Sequence, residues 1–342
     1  EVLTQHLGTL TQLELKRLAV SQLGLVNGND GAWCDDREFL TEVIVTHFES
    51  RPSQKKQINA MPLYPNEDVL FDENVVPSAR WVGDKPLALP KLNTQFLTFR
   101  DYLLRNFNLF RLEAAYEIRE DISDVLTRMA PVKSVTGTST GQSTPQSTTQ
   151  TQFKGWSRMA LPVAAGALTV TQVKAPLIGE TKPSSVRCEV RVNLGSLKGP
   201  ARVEWDELKQ HDVVFLLHAE GGEAGDSSSK GNENTKEKTV AERFGLRRVR
   251  GGEVVEVRDG EGTRYNDFGR VGGDGTDGSS GPAGYERTFV LQLDAAQYQL
   301  DVDRGDDAMY SSLNVLMRRR PKENNFKSIL ECIRDLMNAD TV

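Results

Sequence analysis

Two clusters of basic side chains have the type and spacing that best suit binding chemistry. Arg243, Arg247, Arg248 and Arg250 form the first cluster, and Arg318, Arg319, Arg320 and Lys322 form the second. Guanidinium groups suit phosphates and carboxylates, so four of them close together could position an RNA backbone or contact a partner protein. Two simpler interpretations remain open: charges that protect a strand edge, and ion pairs with nearby Glu and Asp. We find no aromatic stacking platform interleaved with these arginines, which weakens the case for single-strand binding.

No recognisable active site accompanies these clusters. The sequence lacks the Gly-x-x-x-x-Gly-Lys-[Ser/Thr] phosphate loop, and the glycine-rich run at 272–281 has no lysine. His211 and His218 flank a predicted strand without the spacing of a metal site or a catalytic triad. Paired aspartates such as Asp301 and Asp303 are typical of solvated caps and loops. We therefore predict no catalytic residue and no metal ligand.

Composition limits the kind of partner. The 342 residues include 42 Lys and Arg and 48 Asp and Glu, a net charge of −6, which argues against a surface built wholly to coat nucleic acid.

The three cysteines form no C-x-x-C pair, which favours a reducing compartment. No apolar run approaches the roughly 20 residues that cross a bilayer. Because the chain begins at Glu1 without a leader pattern, we expect it to be part of a longer protein.

Three polar stretches interrupt the patterned sequence. Residues 134–152 consist almost wholly of Ser, Thr, Gln and Gly, and residues 219–239 and 259–284 are similarly polar. Such segments bury too little apolar surface to offset the entropy lost on ordering. We predict that all three are disordered.

Helical periodicity marks three segments. Asp35 and Glu38 have capping-box spacing ahead of an amphipathic helix. Apolar residues recur at steps of three and four from Phe96 to Met129, which predicts one long helix or two helices broken near Asn106 and Asn108. The same spacing predicts a final helix from Phe326, opened by Pro321. Between the first two, prolines over 61–90 predict an extended segment.

Residues 153–300 change to period two and to β-forming residues. The predicted strands are 168–173, 186–192, 213–217, 244–249, 254–257 and 288–293. Short strands without alternating helices indicate an antiparallel sandwich or barrel. The order of helix, strands and helix predicts an α+β multidomain chain in which the long helix and the last helix pack side by side.

Seven phrases resemble the aquarius family of intron-binding spliceosomal proteins. They are WCDDREFL at 33–40, MPLYP at 61–65, LPKL at 89–92, DYLLRNFNLFRLE at 101–113, GWSRMA at 155–160, WDELKQHDV at 205–213 and RRPKENNF at 319–326. The similarity spans nearly the whole chain outside the three polar stretches, which look like lineage-specific loop expansions.

The resemblance implies a layout that composition does not show. Residues 1–60 would end an armadillo-like helical domain, and 61–133 would form an extended segment and a stalk helix. After the disordered linker at 134–152, residues 153–300 would form an antiparallel β-barrel with inserts at 219–239 and 259–284. Residues 301–342 would hold a stalk helix leading toward a helicase motor outside this sequence.

The resemblance also implies a function. The chain would be a non-catalytic scaffold of a nuclear, ATP-dependent RNA helicase in the spliceosome, and ATP and Mg²⁺ would bind elsewhere in the full-length protein. Its partners would be spliceosomal proteins of the intron-binding complex and the intron near the branch site, with no membrane and no small-molecule substrate. An alternative is a self-sufficient RNA-binding barrel that grips phosphates through Arg247, Arg248 and Arg250.

Overall fold

The computed structural model describes residues 2–26, 35–49, 53–77, 98–136, 148–222, 239–266, 269–270, 282–319 and 325–339. The chain divides into two compact units, residues 1–57 and 58–342. The predicted combination of helices and an antiparallel sheet is confirmed. No described helix is long and apolar enough to cross a bilayer.

The first unit is helical. Its helices are α1 (Val2–Thr9), α2 (Gln12–Lys16), which continues as a π-helical turn (Arg17–Gln22), and α3 (Arg37–Phe48), and α4 (Gln54–Ala60) begins in it. Leu15, Leu40 and Ile44 lie in its buried core. The predicted helix is confirmed, but its cap is Asp36 rather than Asp35, because the Asp36 carboxylate accepts a 3.0 Å hydrogen bond from the Glu38 amide.

The second unit contains one long helix, α6 (Phe99–Met129), after the short α5 (Glu67–Leu70). Asn106 does not break α6, because its side-chain amide donates to the Tyr102 carbonyl at 2.8 Å within the helix. A capping box of Thr98 and Asp101 begins the helix, and Ala130 ends it in the left-handed region with φ 46°.

Eleven strands and four further helices complete the described part of this unit. The strands are β1 (Pro131–Thr136), β2 (Thr148–Phe153), β3 (Ala160–Pro162), β4 (Leu168–Pro176), β5 (Pro183–Asn193), β6 (Val213–Ala219), β7 (Leu246–Arg258), β8 (Tyr265–Asn266), β9 (Gly269–Arg270), β10 (Glu286–Leu293) and β11 (Val315–Arg318). The helices are α7 (Pro200–Asp206), α8 (Val240–Phe244), α9 (Ala295–Asp303) and α10 (Phe326–Asn338), with a 3₁₀ turn at Asp307–Ser312.

Seven strands form the main sheet in the order β3-β11-β6-β7-β10-β5-β4, with every neighbour antiparallel. Alternation along β6 separates two cores. Phe215 and Leu217 pack with α6 and α10, whereas Val214 and Leu216 face a second core around Trp205. The sheet therefore packs against α6 and α10 on one face and encloses its own core on the other.

The sheet curls but does not close within the described residues. Leu161 of β3 and Leu168 of β4 belong to the same core, although these strands are the two edges of the ladder. The predicted antiparallel arrangement is confirmed, and the closed barrel is not formed by strand pairing here.

Four features differ from the sequence predictions. Within 61–90, which was predicted to be extended, residues Glu67–Leu70 form α5, because the Asn66 side chain caps this turn by accepting from the Val69 amide. Residues 134–136 and 148–152 pair as parts of β1 and β2, so both ends of the predicted disordered linker are strands. β7 is one strand where two were predicted, because Gly251 and Gly252 continue the ladder. Residues 219–222 and parts of 259–284 are also ordered. Pro321, 137–147, 223–238 and 271–281 lie outside the described residues.

The predicted contact between the long helix and the last helix is confirmed. Phe326 and Leu330 of α10 share a core with Ile118 and Ile122 of α6. Nearer the other end of the pair, Leu103 clusters with Met337.

Candidate functional site

Arg250 is the buried centre of the first basic cluster. β7 turns this side chain inward, where it is only 3% exposed. Its Nε and Nη2 donate to the Asp301 carboxylate at 2.8 and 2.7 Å, and its Nη1 donates to Glu67 at 2.6 Å. Nη1 also reaches the Val249 carbonyl, and Nη2 the Met309 sulfur. Every N–H of this guanidinium therefore has a partner inside the protein.

Asp301 is equally enclosed. Its carboxylate accepts from the Tyr310 hydroxyl at 2.8 Å and from the Gln297 amide at 2.9 Å. Burial opposes the charge on Arg250, but the bonds to Asp301 and Glu67 outweigh it and raise the pKa of Arg250. Burial and the Asp301 charge raise the pKa of Tyr310 well above its usual range. Arg250 is therefore held as a buried cation whose donors all have partners within the protein.

Glu67, the first residue of α5, connects this network to the segment that precedes α6. Besides Arg250, it accepts from the Val249 amide at 2.9 Å and lies 3.4 Å from Arg248. Arg248 also donates to Asp306 at 2.7 Å. The two arginines thus bind the α5 segment and the 3₁₀ turn to β7.

Arg243 and Arg247 occupy a different environment, because both side chains are exposed. Arg247 lies 3.1 Å from Glu220, which also pairs with Lys133 of β1 at 3.2 Å. The hydrogen bond from Arg247 lowers the pKa of Glu220. Arg243 stacks on the Phe244 ring at 5.3 Å. Both side chains therefore lie on the surface, and Arg247 is paired there with Glu220.

The second cluster also connects elements. Arg319 is buried and pairs with Asp121 at 3.0 Å and Glu117 at 3.3 Å, both on α6. Arg318 pairs with Glu204 of α7 and lies over the Trp205 ring at 5.8 Å. Arg320 and Lys322 lie outside the described residues.

His211 and His218 each contact a neighbouring side chain of the fold. His211 occupies a turn with φ 75°, and its Nδ1 lies 2.6 Å from Glu253. His218 is near the end of β6, where its Nδ1 contacts the Ser312 hydroxyl at 3.0 Å. Among the described residues, no group of three or more His, Cys, Asp or Glu side chains could hold a metal ion.

The structure therefore does not bring the eight predicted residues into one surface. Four of the six described arginines mainly join helical elements to the sheet: Arg248, Arg250, Arg318 and Arg319. Sequence reasoning missed their partners Glu67, Asp301 and Asp121, because no local pattern relates residues so far apart in the chain. Contact of the predicted residues with RNA or a partner stays a prediction.

Comparison with known proteins agrees with this architecture. Residues 142–319, just over half of the chain, match a family described as the intron-binding protein aquarius, beta-barrel. Over 311 residues the chain is 44% identical to the RNA helicase aquarius of Mus musculus. That alignment covers 90% of this chain but 19% of the mouse protein, so the chain spans about a fifth of its relative. The chain belongs to the aquarius family.

Proposed function

We propose that this chain is a non-catalytic scaffold within an aquarius-like intron-binding RNA helicase that acts in pre-mRNA splicing. Its helical first unit would end an armadillo-type domain, and its curled sheet would be the family's barrel region. The motor, with ATP and Mg²⁺, would lie elsewhere in the full-length protein. Its place of action would be the nuclear spliceosome, near the intron branch site.

The observation that supports this proposal is the set of ion pairs between helices and the sheet. Arg319 joins the end of β11 to α6, and Arg250 joins β7 to the α5 segment and α9. Lys327 of α10 pairs with Glu253 of β7 in the same way. Paired charges at fixed geometry favour one relative arrangement of packed elements. Such rigidity suits a platform that holds partner proteins and orients a motor.

Incorporation into splicing complexes tests the proposal. The tagged 342-residue chain, added to nuclear extract with a pre-mRNA, should be recovered with spliceosomal proteins and intron RNA. Arg319→Asp should reduce recovery, because it places like charges beside Asp121, and Asp121→Arg in the same chain should restore part of it. Recovery of no splicing protein by the parent chain would contradict the scaffold role.

Catalysis is tested separately. The purified chain should hydrolyse no ATP above the background of a mock purification. Turnover that follows the protein through every column would overturn the non-catalytic assignment.

A self-sufficient RNA-binding module is the second candidate, and the exposure of Arg243 and Arg247 favours it. Changing both to Glu should weaken RNA binding and lower the salt slope by about one per lost phosphate contact. Arg264→Glu is a matched control, because Arg264 is also exposed and paired with a glutamate. Equal RNA affinity in the double variant and the parent would exclude these two arginines as RNA contacts.

A further inference from the structure

Trp156 is an exposed tryptophan just before the first strand of the main sheet. Its side chain is 66% exposed, whereas Trp205 is fully buried in the core of the sheet. Tryptophan is highly buried in most folded proteins, since exposure forfeits much of its transfer free energy. An indole that stays in solvent is therefore a candidate contact for a partner.

The backbone on both sides of Trp156 is fixed to the fold. The Gly155 amide donates to the Met129 carbonyl at the end of α6 at 3.0 Å, and a Cβ at position 155 would overlap the backbone of that helix. On the other side, the hydroxyl of buried Ser157 accepts from the Met159 amide at 3.2 Å. The indole is thus displayed between two anchored residues, so little backbone ordering would be needed for a partner to bind it.

Two cations flank the indole along the chain. The side chains of Lys154, Trp156 and Arg158 are exposed, whereas that of Ser157 is buried. These three side chains, each two residues from the next, therefore lie on the solvent-facing side of one short segment. Within the part of the chain that the structure describes, the Lys154 ammonium forms no ion pair.

Arg158 belongs to a group with surplus positive charge. Its Nε donates to the Glu204 carboxylate at 2.8 Å, and Arg318 pairs with the same carboxylate, so two guanidinium groups share one negative charge. Glu207 and Asp212 lie close enough to Arg318 to act on its charge. An anion is therefore disfavoured beside Arg318 and favoured at the exposed side of Arg158.

We propose that Trp156, Lys154 and Arg158 form a contact for single-stranded RNA. One nucleobase would stack on the indole, and the neighbouring phosphates would contact the two cations. Proteins that bind single strands combine aromatic side chains, on which bases stack, with cations that follow the phosphates. An acidic peptide could pair with the cations, but it offers no flat group to cover the indole, so the arrangement favours RNA.

This inference deepens the proposed function and rests on it. It names a point at which the scaffold would itself contact the intron, through residues other than Arg243 and Arg247 of the second candidate function. The basic clusters contain no such aromatic platform, and the indole lies far from them in the sequence.

The test uses the full 342-residue chain and three fluorescein-labelled probes. These are a 12-nucleotide oligouridylate, a ribose-phosphate chain of the same length without bases, and a 12-residue peptide alternating Gly and Glu. Fluorescence anisotropy should show that the oligouridylate binds more tightly than the other two. Trp156→Ala should weaken oligouridylate binding about tenfold and leave binding of the baseless chain unchanged, whereas Trp156→Phe should retain most of the affinity.

Lys154→Gln tests the phosphate contact. It should weaken binding of both the oligouridylate and the baseless chain and lower the salt slope by roughly 0.7, the value for one contact on a single strand. Lys174→Gln and Ile178→Ala are the matched controls, because both residues are exposed on the β4–β5 hairpin. Both variants should bind the oligouridylate like the parent.

Four outcomes would each overturn the RNA contact. They are failure of the parent to bind the oligouridylate, equal oligouridylate affinity in Trp156→Ala and the parent, an equal loss with the baseless chain, and tighter binding of the acidic peptide that Trp156→Ala abolishes. Because the assay needs no splicing extract, a negative result would leave recovery of the chain with spliceosomal proteins, and hence the scaffold role, intact.

Discussion

At the scale of single residues, the two aspartates of α9 illustrate how position decides the role of a charge. Asp301 and Asp303 are two residues apart on one helix, yet Asp301 is buried against Arg250 and Asp303 is exposed beside Gln299. Removing one partner of a buried ion pair leaves the other charge desolvated and unpaired. Removing an exposed charge costs little, because water solvates the group that it contacted.

Asp301→Asn should therefore lower the free energy of unfolding by about 3–5 kcal/mol, measured by urea denaturation. Asp303→Asn should change it by less than about 0.5 kcal/mol. Similar losses for the two variants would show that burial of the Arg250 network contributes no more than an exposed helix charge.

Gly251 is a second residue whose identity depends on its surroundings. The Tyr64 ring lies directly on it, so a Cβ at 251 would overlap the ring, whereas a Cβ at Gly252 would meet its nearest atoms at an ordinary 3.4 Å. Tyr64 is itself held edge-on against Phe215 and Phe326. The ring has little room to move.

Gly251→Ala should consequently destabilise the protein by about 1–3 kcal/mol through overpacking. The neighbouring Gly252→Ala should cost less than about 1 kcal/mol, and thermal denaturation of both variants provides the comparison. An equal shift in the two melting temperatures would contradict the close approach of Tyr64.

At the scale of elements, α10 depends on one apolar face. Leu330 is fully buried in the core shared with α6, whereas Leu336, six residues later, is half exposed. Apolar burial against α6, more than intrinsic helix propensity, stabilises a helix of 13 residues.

Leu330→Ala should destabilise the second unit by about 2–5 kcal/mol and speed amide hydrogen exchange in α6 as well as α10. Leu336→Ala, which removes the same atoms from an exposed position, should leave exchange in α6 unchanged. Loss of protection confined to α10 in the Leu330 variant would show that the two helices do not unfold together.

At the scale of the whole molecule, acid should weaken the contacts between helices and sheet. Burial opposes ionisation of Glu253, but hydrogen bonds from Lys327 and His211 outweigh it and hold the pKa below its ordinary value of 4.5. The Arg247 bond lowers the pKa of Glu220 in the same direction. A depressed pKa means that the unfolded chain binds protons more readily, so this stabilisation is present above about pH 4.5 and lost below it.

The urea midpoint should therefore fall as the pH decreases from about 5 toward 3. Glu253→Gln should show a shallower decline, and Lys327→Gln, which removes the main donor, should do the same. If the urea midpoint of Glu253→Gln fell as steeply with decreasing pH as that of the parent, other carboxylates would be responsible for the acid destabilisation.

Local patterns in the chain are enough to predict the elements whose signals repeat over a few residues. Helical periodicity predicted α6 and α10, alternation predicted most strands of the sheet, and the phrases at 101–113 and 205–213 identified the family. Such patterns can be recognised within a few residues, without knowing which surface the element packs against. The predicted strand break in β7 was wrong, because Gly251 is required by the ring of Tyr64 rather than by a turn.

The roles of the charged and aromatic side chains follow from how the elements pack. Arg250 meets Asp301 and Glu67 across 51 and 183 residues of chain, and Arg319 meets Asp121 across 198. Trp156 and Trp205 are the same residue type, yet one is exposed and the other buried. An ion pair or a buried ring is defined by which elements pack together, and that depends on the register and curl of the sheet, which no local sequence pattern contains.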